Sequence, residues 1–197
     1  MMVIILVANF LIAIVLSGGS ADAQEIMGDV TVTEITAGGA IKGCAVEYTS
    51  ISQDHIYKSG APVGLTGTLA WMLAPKLGIA LATKVLAADI DVTQPSQLAP
   101  FKVEHGFARI NDRLLQVENR YECEKPTGFC GASGFETAMS TFEEYAKGGE
   151  TVAFGFNRKI GGMDVVMSVK PLSLDQSTKL SACMLKVLEA AKDLGPK

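Results

Sequence analysis

The sequence predicts a mainly β fold: an immunoglobulin-like β-sandwich with one internal helix and a C-terminal helix, occupying residues 24–197 as a single domain. Three observations carry this expectation. Short β-branched stretches recur between turns bearing glycine, proline or asparagine, the helical spacings fall in the last third of the chain, and four cysteines are spread so as to staple the whole.

Ahead of the domain, residues 1–23 read as a secretory signal peptide. Val3 to Leu16 is apolar except for Asn9, Ser17-Gly18-Gly19-Ser20 follows, and Ala21-Asp22-Ala23 supplies an A-x-A cleavage site before Gln24. The apolar run falls short of the ~20 residues that a membrane-spanning helix needs, so cleavage is favoured over an uncleaved anchor. The Lys or Arg that usually opens such a segment is missing, which leaves the true start codon open. No Cys follows the run where a lipid anchor would need one. The expected location is the periplasm or the medium.

Cleavage after Ala23 leaves 174 residues with 20 acidic and 17 basic side chains, a net charge of about −3. That balance argues against a nucleic-acid partner, which calls for a clustered basic face. The length suits one domain with a sizeable core.

Cys44, Cys123, Cys130 and Cys183 all lie in the mature part, and in an oxidising compartment an even count favours two disulfides. Three connectivities are open. Cys123 and Cys130 bound a loop in which Pro126 and Gly128 supply the turn, which selects this pair and leaves Cys44 for Cys183. In the chain-entropy picture the long loop contributes roughly 5 kcal/mol and the short one about 2.5 kcal/mol. Zinc is the competing use of four cysteines, but no C-x₂₋₄-C spacing is present.

In chain order, Asp29–Thr36 and Cys44–Ile51 read as strands, with Gly38-Gly39 and Gly43 as punctuation. Ala61–Ile90 is the least polar stretch of the mature chain, and a membrane span is its sharper reading. Pro62, Gly64, Gly67, Pro75 and Gly78 break it into shorter pieces, and Thr66 and Thr68 alternate with Leu65 and Leu69, so buried sandwich strands are preferred. After a proline-punctuated loop at Thr93–Pro100, Phe101–Ile110 and Arg113–Tyr121 flank Asn111-Asp112 as a hairpin.

Ser133 and Glu136 form a capping-box pattern ahead of Phe135, Met139, Phe142 and Ala146 at helical spacing, which predicts a helix from about Gly134 to Lys147, ended by Gly148-Gly149. A second hairpin follows from Thr151–Phe156 and Met163–Val169. The last helix opens on a second box, Ser173 with Gln176, and its apolar stripe of Leu180, Met184, Val187, Leu188 and Ala191 carries Cys183.

Chemistry is harder to find. His55 and His105 are the only histidines and neither has a partner at metal-ligand spacing. Gly131-Ala-Ser133-Gly134 lacks the G-x-S-x-G spacing of a nucleophile elbow, and Gly128, Gly131 and Gly134 fit no phosphate-loop pattern. Glu122 and Glu124 are at best neighbours on one strand face, and Glu143 with Glu144 reads as a solvated helix face, so neither pair is read as an acid and base. No C-x-x-C occurs, and no cofactor or metal is expected. Trp71, the single tryptophan, reads as core, with Leu69–Leu73 as a candidate apolar patch for a protein or envelope partner. The competing enzyme reading gathers His105 with Glu104, Asp112 or Ser133.

Taken together, Ala74-Pro75-Lys76-Leu77-Gly78-Ile79-Ala80-Leu81, the Cys123…Gly128-Phe129-Cys130 loop, a helix ending at Gly148-Gly149, two strands and Pro171-Leu172-Ser173-Leu174 resemble the invasion-associated locus B family of bacterial envelope proteins across roughly residues 44–190. The resemblance implies a periplasmic or secreted β-sandwich without known catalytic residues, linked in some pathogens to host-cell invasion. Of its residue-level features, only the Cys123–Cys130 bridge is carried over. The expectation is therefore a non-enzymatic envelope protein that binds or stabilises a partner; the alternative is a periplasmic enzyme built on His105 and nearby carboxylates.

Overall fold

Alternation of buried and exposed residues organises most of the chain. The computed structural model describes residues 27–74, 78–94 and 97–192. The signal peptide assigned to residues 1–23, and Pro75–Leu77 of the family resemblance, lie outside them. The elements run β1 (Met27–Ala37), β2 (Ala40–Asp54), β3 (Ala61–Ala74), β4 (Gly78–Ile90), β5 (Leu98–Pro100), β6 (His105–Ile110), β7 (Arg113–Leu114), β8 (Asn119–Arg120) and β9 (Phe129–Ser133). Then come α1 (Phe135–Lys147), β10 (Val152–Asn157), β11 (Val165–Val169) and α2 (Leu174–Lys192).

The strands form two antiparallel sheets. The larger has the order β1-β2-β3-β4-β9-β8, with β5 also on β4; the smaller has the order β11-β10-β6-β7. The mainly β sandwich with one internal and one C-terminal helix is thus present. Ala61–Ile90, read as broken sandwich strands rather than a membrane span, becomes β3 and β4, in register from Val63 opposite Asp89 to Ala74 opposite Gly78. Among the described residues, no helix is long and apolar enough to cross a membrane.

Successive strand residues face opposite sides, so odd-numbered β3 residues share one face. On that face Leu69 and Trp71 are fully buried, and the Phe154 ring of β10 lies directly over Gly67. The Trp71 indole donates to the Ala138 carbonyl of α1 at 2.8 Å, and Cys44, paired with Trp71, is bonded to Cys183 of α2. The smaller sheet and both helices therefore cover the same side of the larger sheet.

Both disulfides match the sequence expectation, Cys44–Cys183 with Cα atoms 6.0 Å apart and Cys123–Cys130 at 5.4 Å. All four cysteines are spent on them.

The second capping box is also present. Gln176 N–H donates to Ser173 Oγ, and Ser173 N–H donates to Gln176 Oε1 at 2.8 Å. Gln176 Nε2 further donates to the Val30 carbonyl on β1, while Val30 N–H is taken by Asp29 Oδ1. Side chains thus satisfy the outward groups of Val30 on an edge strand, where open backbone invites pairing with another chain.

Three local expectations are corrected. Ser133 does not cap α1: it ends β9, and its hydroxyl donates to the Gln116 carbonyl, leaving Gly134 as N-cap with its N–H on Glu118 Oε1 at 2.9 Å. The buried stripe of α1 is Ala138, Thr141 and Tyr145, whereas Phe135 and Ala146 are exposed, because Ala138 and Tyr145 meet Trp71 and Tyr48 on the sheet. The Asn111-Asp112 turn forms, with φ of 49° and 62°, but only Arg113–Leu114 pairs back onto β6. Beyond it the chain crosses to the larger sheet, where Asn119 pairs with Ala132.

Candidate functional site

The opposite face of the larger sheet carries the site. Its even-numbered β3 residues meet outward residues of β2 and β4 in rows: Ile51, Gly64 and Ala88, continuing to Pro100 on β5, and next to them Thr49, Thr66 and Leu86. Gly64 has no side chain in a row whose neighbours do, so the sheet backbone is laid open there. The resulting cleft is about 230 Å³, walled by Ile51, Leu86, Ile90, Leu98 and Pro100, with Thr66, Lys125 and Thr127 at its edge. A β-carbon added at Gly64 would make only ordinary contacts, with Ile90 Cδ1 at 3.5 Å and with the Ala88 carbonyl oxygen and Ile90 Cγ1 at 3.8 Å, so the hollow can accept a larger group.

The short disulfide loop forms one wall. Thr127 accepts a hydrogen bond from Val103 N–H at 2.8 Å, and Lys125 accepts one from Gly128 N–H at 3.0 Å. Gly128 lies so near Leu86 that a β-carbon would come within 2.4 Å of Leu86 Cδ2. Glycine at that position lets the loop rest on the sheet. Lys125 is exposed and, among the described residues, has no carboxylate within ion-pair distance. Apolar walls with one cation at the rim suit a small group that is aliphatic at one end.

The apolar patch expected near Trp71 is corrected. Leu69 and Trp71 are buried under the helices, and the Trp71 ring meets Tyr145 edge-on at 5.6 Å, so these residues offer no partner surface. The half-exposed Met72 and Leu73 are the remaining part of that stretch.

The enzyme constellation is only partly assembled. Glu104 and His105 do share a shallow cleft with Arg120, Asn157, Ile160 and Gly161. His105 stacks edge-on against Phe129 at 5.5 Å, and Arg120 donates to the Glu104 carbonyl while lying 4.5 Å above the Phe129 ring. Asp112, at the far end of β6 from His105, and Ser133, held by Gln116, stay outside it. His55 is exposed and bonds Gln53 Oε1 at 3.0 Å. Glu122 and Glu124 are exposed, and Glu144 pairs with Arg113 at 2.7 Å.

Two buried polar groupings escaped sequence reasoning. Asp54, fully buried at the end of β2, binds Arg158, which also bonds both Asp89 oxygens and lies 3.6 Å over the Phe101 ring. Burial alone would raise the Asp89 carboxyl; hydrogen bonds and charge from Arg158 and Lys58 outweigh it and hold the group below its ordinary value. Second, the Tyr48 and Tyr145 hydroxyls meet at 2.7 Å, near buried Glu150, and burial pushes both phenols well above their usual range. Both groupings join residues far apart in sequence, and no local pattern announces either.

Comparison with protein-family models, with curated proteins and with solved structures yields no match.

Proposed function

We propose that the chain is an exported, non-enzymatic envelope protein, akin to the invasion-associated locus B proteins that its cysteine loop, helix and hairpin resemble, and that it binds or stabilises a protein partner or cell-surface component. The supporting observation is the division of the larger sheet: one face is sealed by the smaller sheet and both helices, while the other presents a walled apolar cleft. Burying that apolar area against a partner supplies binding free energy at roughly 25 cal/mol per Å² before the costs of association. Two disulfides favour an oxidising compartment, periplasmic or extracellular.

Cell fractionation tests the location, and a photo-crosslinking residue tests the face. The mature chain is expected to begin at Gln24 and to fractionate outside the cytoplasm. A cross-linker at Thr66, on the open face, is expected to give an envelope adduct that one at Ser168 on β11 does not. A cytoplasmic protein with free thiols, or adducts equal at both positions, refutes the reading.

A further inference from the structure

We infer that the cleft around Gly64 holds the alkyl chain of a medium-length fatty carboxylate, with the carboxylate at Lys125; this rests on the proposed envelope-binding role. Three observations combine. The hollow is made by a missing side chain at Gly64 and is walled by aliphatic groups, Ile51, Leu86 and Ile90 among them. Its volume, about 230 Å³, is below the range of roughly 300–1,000 Å³ typical of drug-sized ligands, and suits a single chain rather than a helix or strand.

The rim carries one ammonium, Lys125, with no carboxylate of its own in reach among the described residues. A single mobile point charge complements a singly charged carboxylate, whereas planar bidentate recognition of a phosphate favours arginine. The loop bearing Lys125 is closed by Cys123–Cys130 and tied to Val103 through Thr127, so the backbone that carries the cation is fixed at the rim before a ligand arrives. Such preorganisation lowers the ordering cost of binding.

Calorimetric titration of the disulfide-bonded chain with sodium decanoate, below its micellar concentration, tests this. Saturable one-to-one binding is expected. Gly64→Val fills the hollow and is expected to weaken binding by about tenfold or more without lowering the melting temperature, since its β-carbon meets only ordinary contacts and Gly is itself costly in a strand interior. Thr66→Trp is a second filling variant and is expected to act alike. Lys125→Gln is expected to weaken decanoate about two- to fivefold and leave an uncharged decyl maltoside unaffected.

The inference is overturned if the native chain does not saturate, if both filled variants bind as well as the native chain, or if decyltrimethylammonium binds as tightly as decanoate. A native chain that ignores decanoate but still cross-links from Thr66 outside the cytoplasm overturns this inference alone. Saturable decanoate binding by a chain that stays cytoplasmic and yields no Thr66 adduct overturns the envelope role instead.

Discussion

The Tyr48 hydroxyl on β2 and the Tyr145 hydroxyl on α1 meet at 2.7 Å inside the core, joining the larger sheet to the internal helix. Replacing one by Phe strands the other, at a cost of about 1–3 kcal/mol, whereas removing both hydroxyls together is expected to cost less than the sum of the single changes. Urea denaturation of Tyr48→Phe, Tyr145→Phe and the double variant measures that coupling.

The same pair predicts an alkaline weakness. Both phenols titrate higher in the folded chain than in the unfolded one, so above about pH 10 the unfolded state binds fewer protons and stability falls as pH rises. Stability below pH 10 is unaffected by this linkage. With both groups contributing, the slope approaches about 2.7 kcal/mol per pH unit, and Tyr48→Phe/Tyr145→Phe is expected to flatten it. Denaturation midpoints between pH 9 and about 11.5 check the sign and size.

Arg158→Met leaves Asp54 buried without its cation and is expected to cost about 3–5 kcal/mol near neutral pH. Asp89 titrates lower in the folded chain, so its linkage contributes stability above the ordinary carboxylate range that is lost as pH falls through its folded value. The native chain is therefore expected to lose stability more steeply in acid than the variant, narrowing the difference between them. Thermal melts across the acid range would show parallel curves if the network were immaterial.

Gly64 and Gly67, three residues apart on β3, face opposite ways, and they are expected to respond oppositely to a side chain. A β-carbon at Gly67 would come within 2.5 Å of the Phe154 ring, so Gly67→Ala is expected to lose about 1–3 kcal/mol by overpacking. Gly64→Ala is expected to be neutral or stabilising, since Gly is costly in a strand interior. Equal melting temperatures for the two variants would contradict the assignment of the faces.

Replacing Cys44 and Cys183 together by Ala is expected to destabilise by about 5 kcal/mol, against about 2.5 kcal/mol for Cys123 and Cys130, in the chain-entropy picture. Guanidinium melts under oxidising conditions compare the two.

Much of the fold is legible wherever a residue's neighbours along the chain decide its conformation. Alternation with glycine punctuation yields β1 to β4, the Ser173–Gln176 box opens α2, and Pro126 with Gly128 closes the cysteine loop. Expectations fail where a distant partner intervenes. Ser133 has the composition of a cap, yet the Gln116 carbonyl claims its hydroxyl. Residues 113–121 alternate as a hairpin arm would, but alternation is the same in either sheet and does not reveal the crossing to β9.

The site was legible only in fragments. Pro100, Lys125 and Gly64 belong to three separate segments, and their meeting is set by the β3–β4 and β4–β5 registers and the disulfide loop. Trp71 drew attention to the wrong face because hydrophobicity identifies residues that leave water without saying which layer receives them. The hollow at Gly64 is a missing side chain, which composition does not register as a feature.

The Cys44–Cys183 bond also sets how the protein answers a mechanical load. Tension applied between β1 and the end of α2 passes through that bond, bypassing the 139-residue span between the two sulfurs. Some 460–500 Å of chain, at about 3.3–3.6 Å per residue, is thereby withheld from extension while the bond is intact. Reduction of Cys44–Cys183 releases it, less the seven-residue span that an intact Cys123–Cys130 still closes, so the contour length gained in single-molecule pulling reports the oxidation state of both bonds.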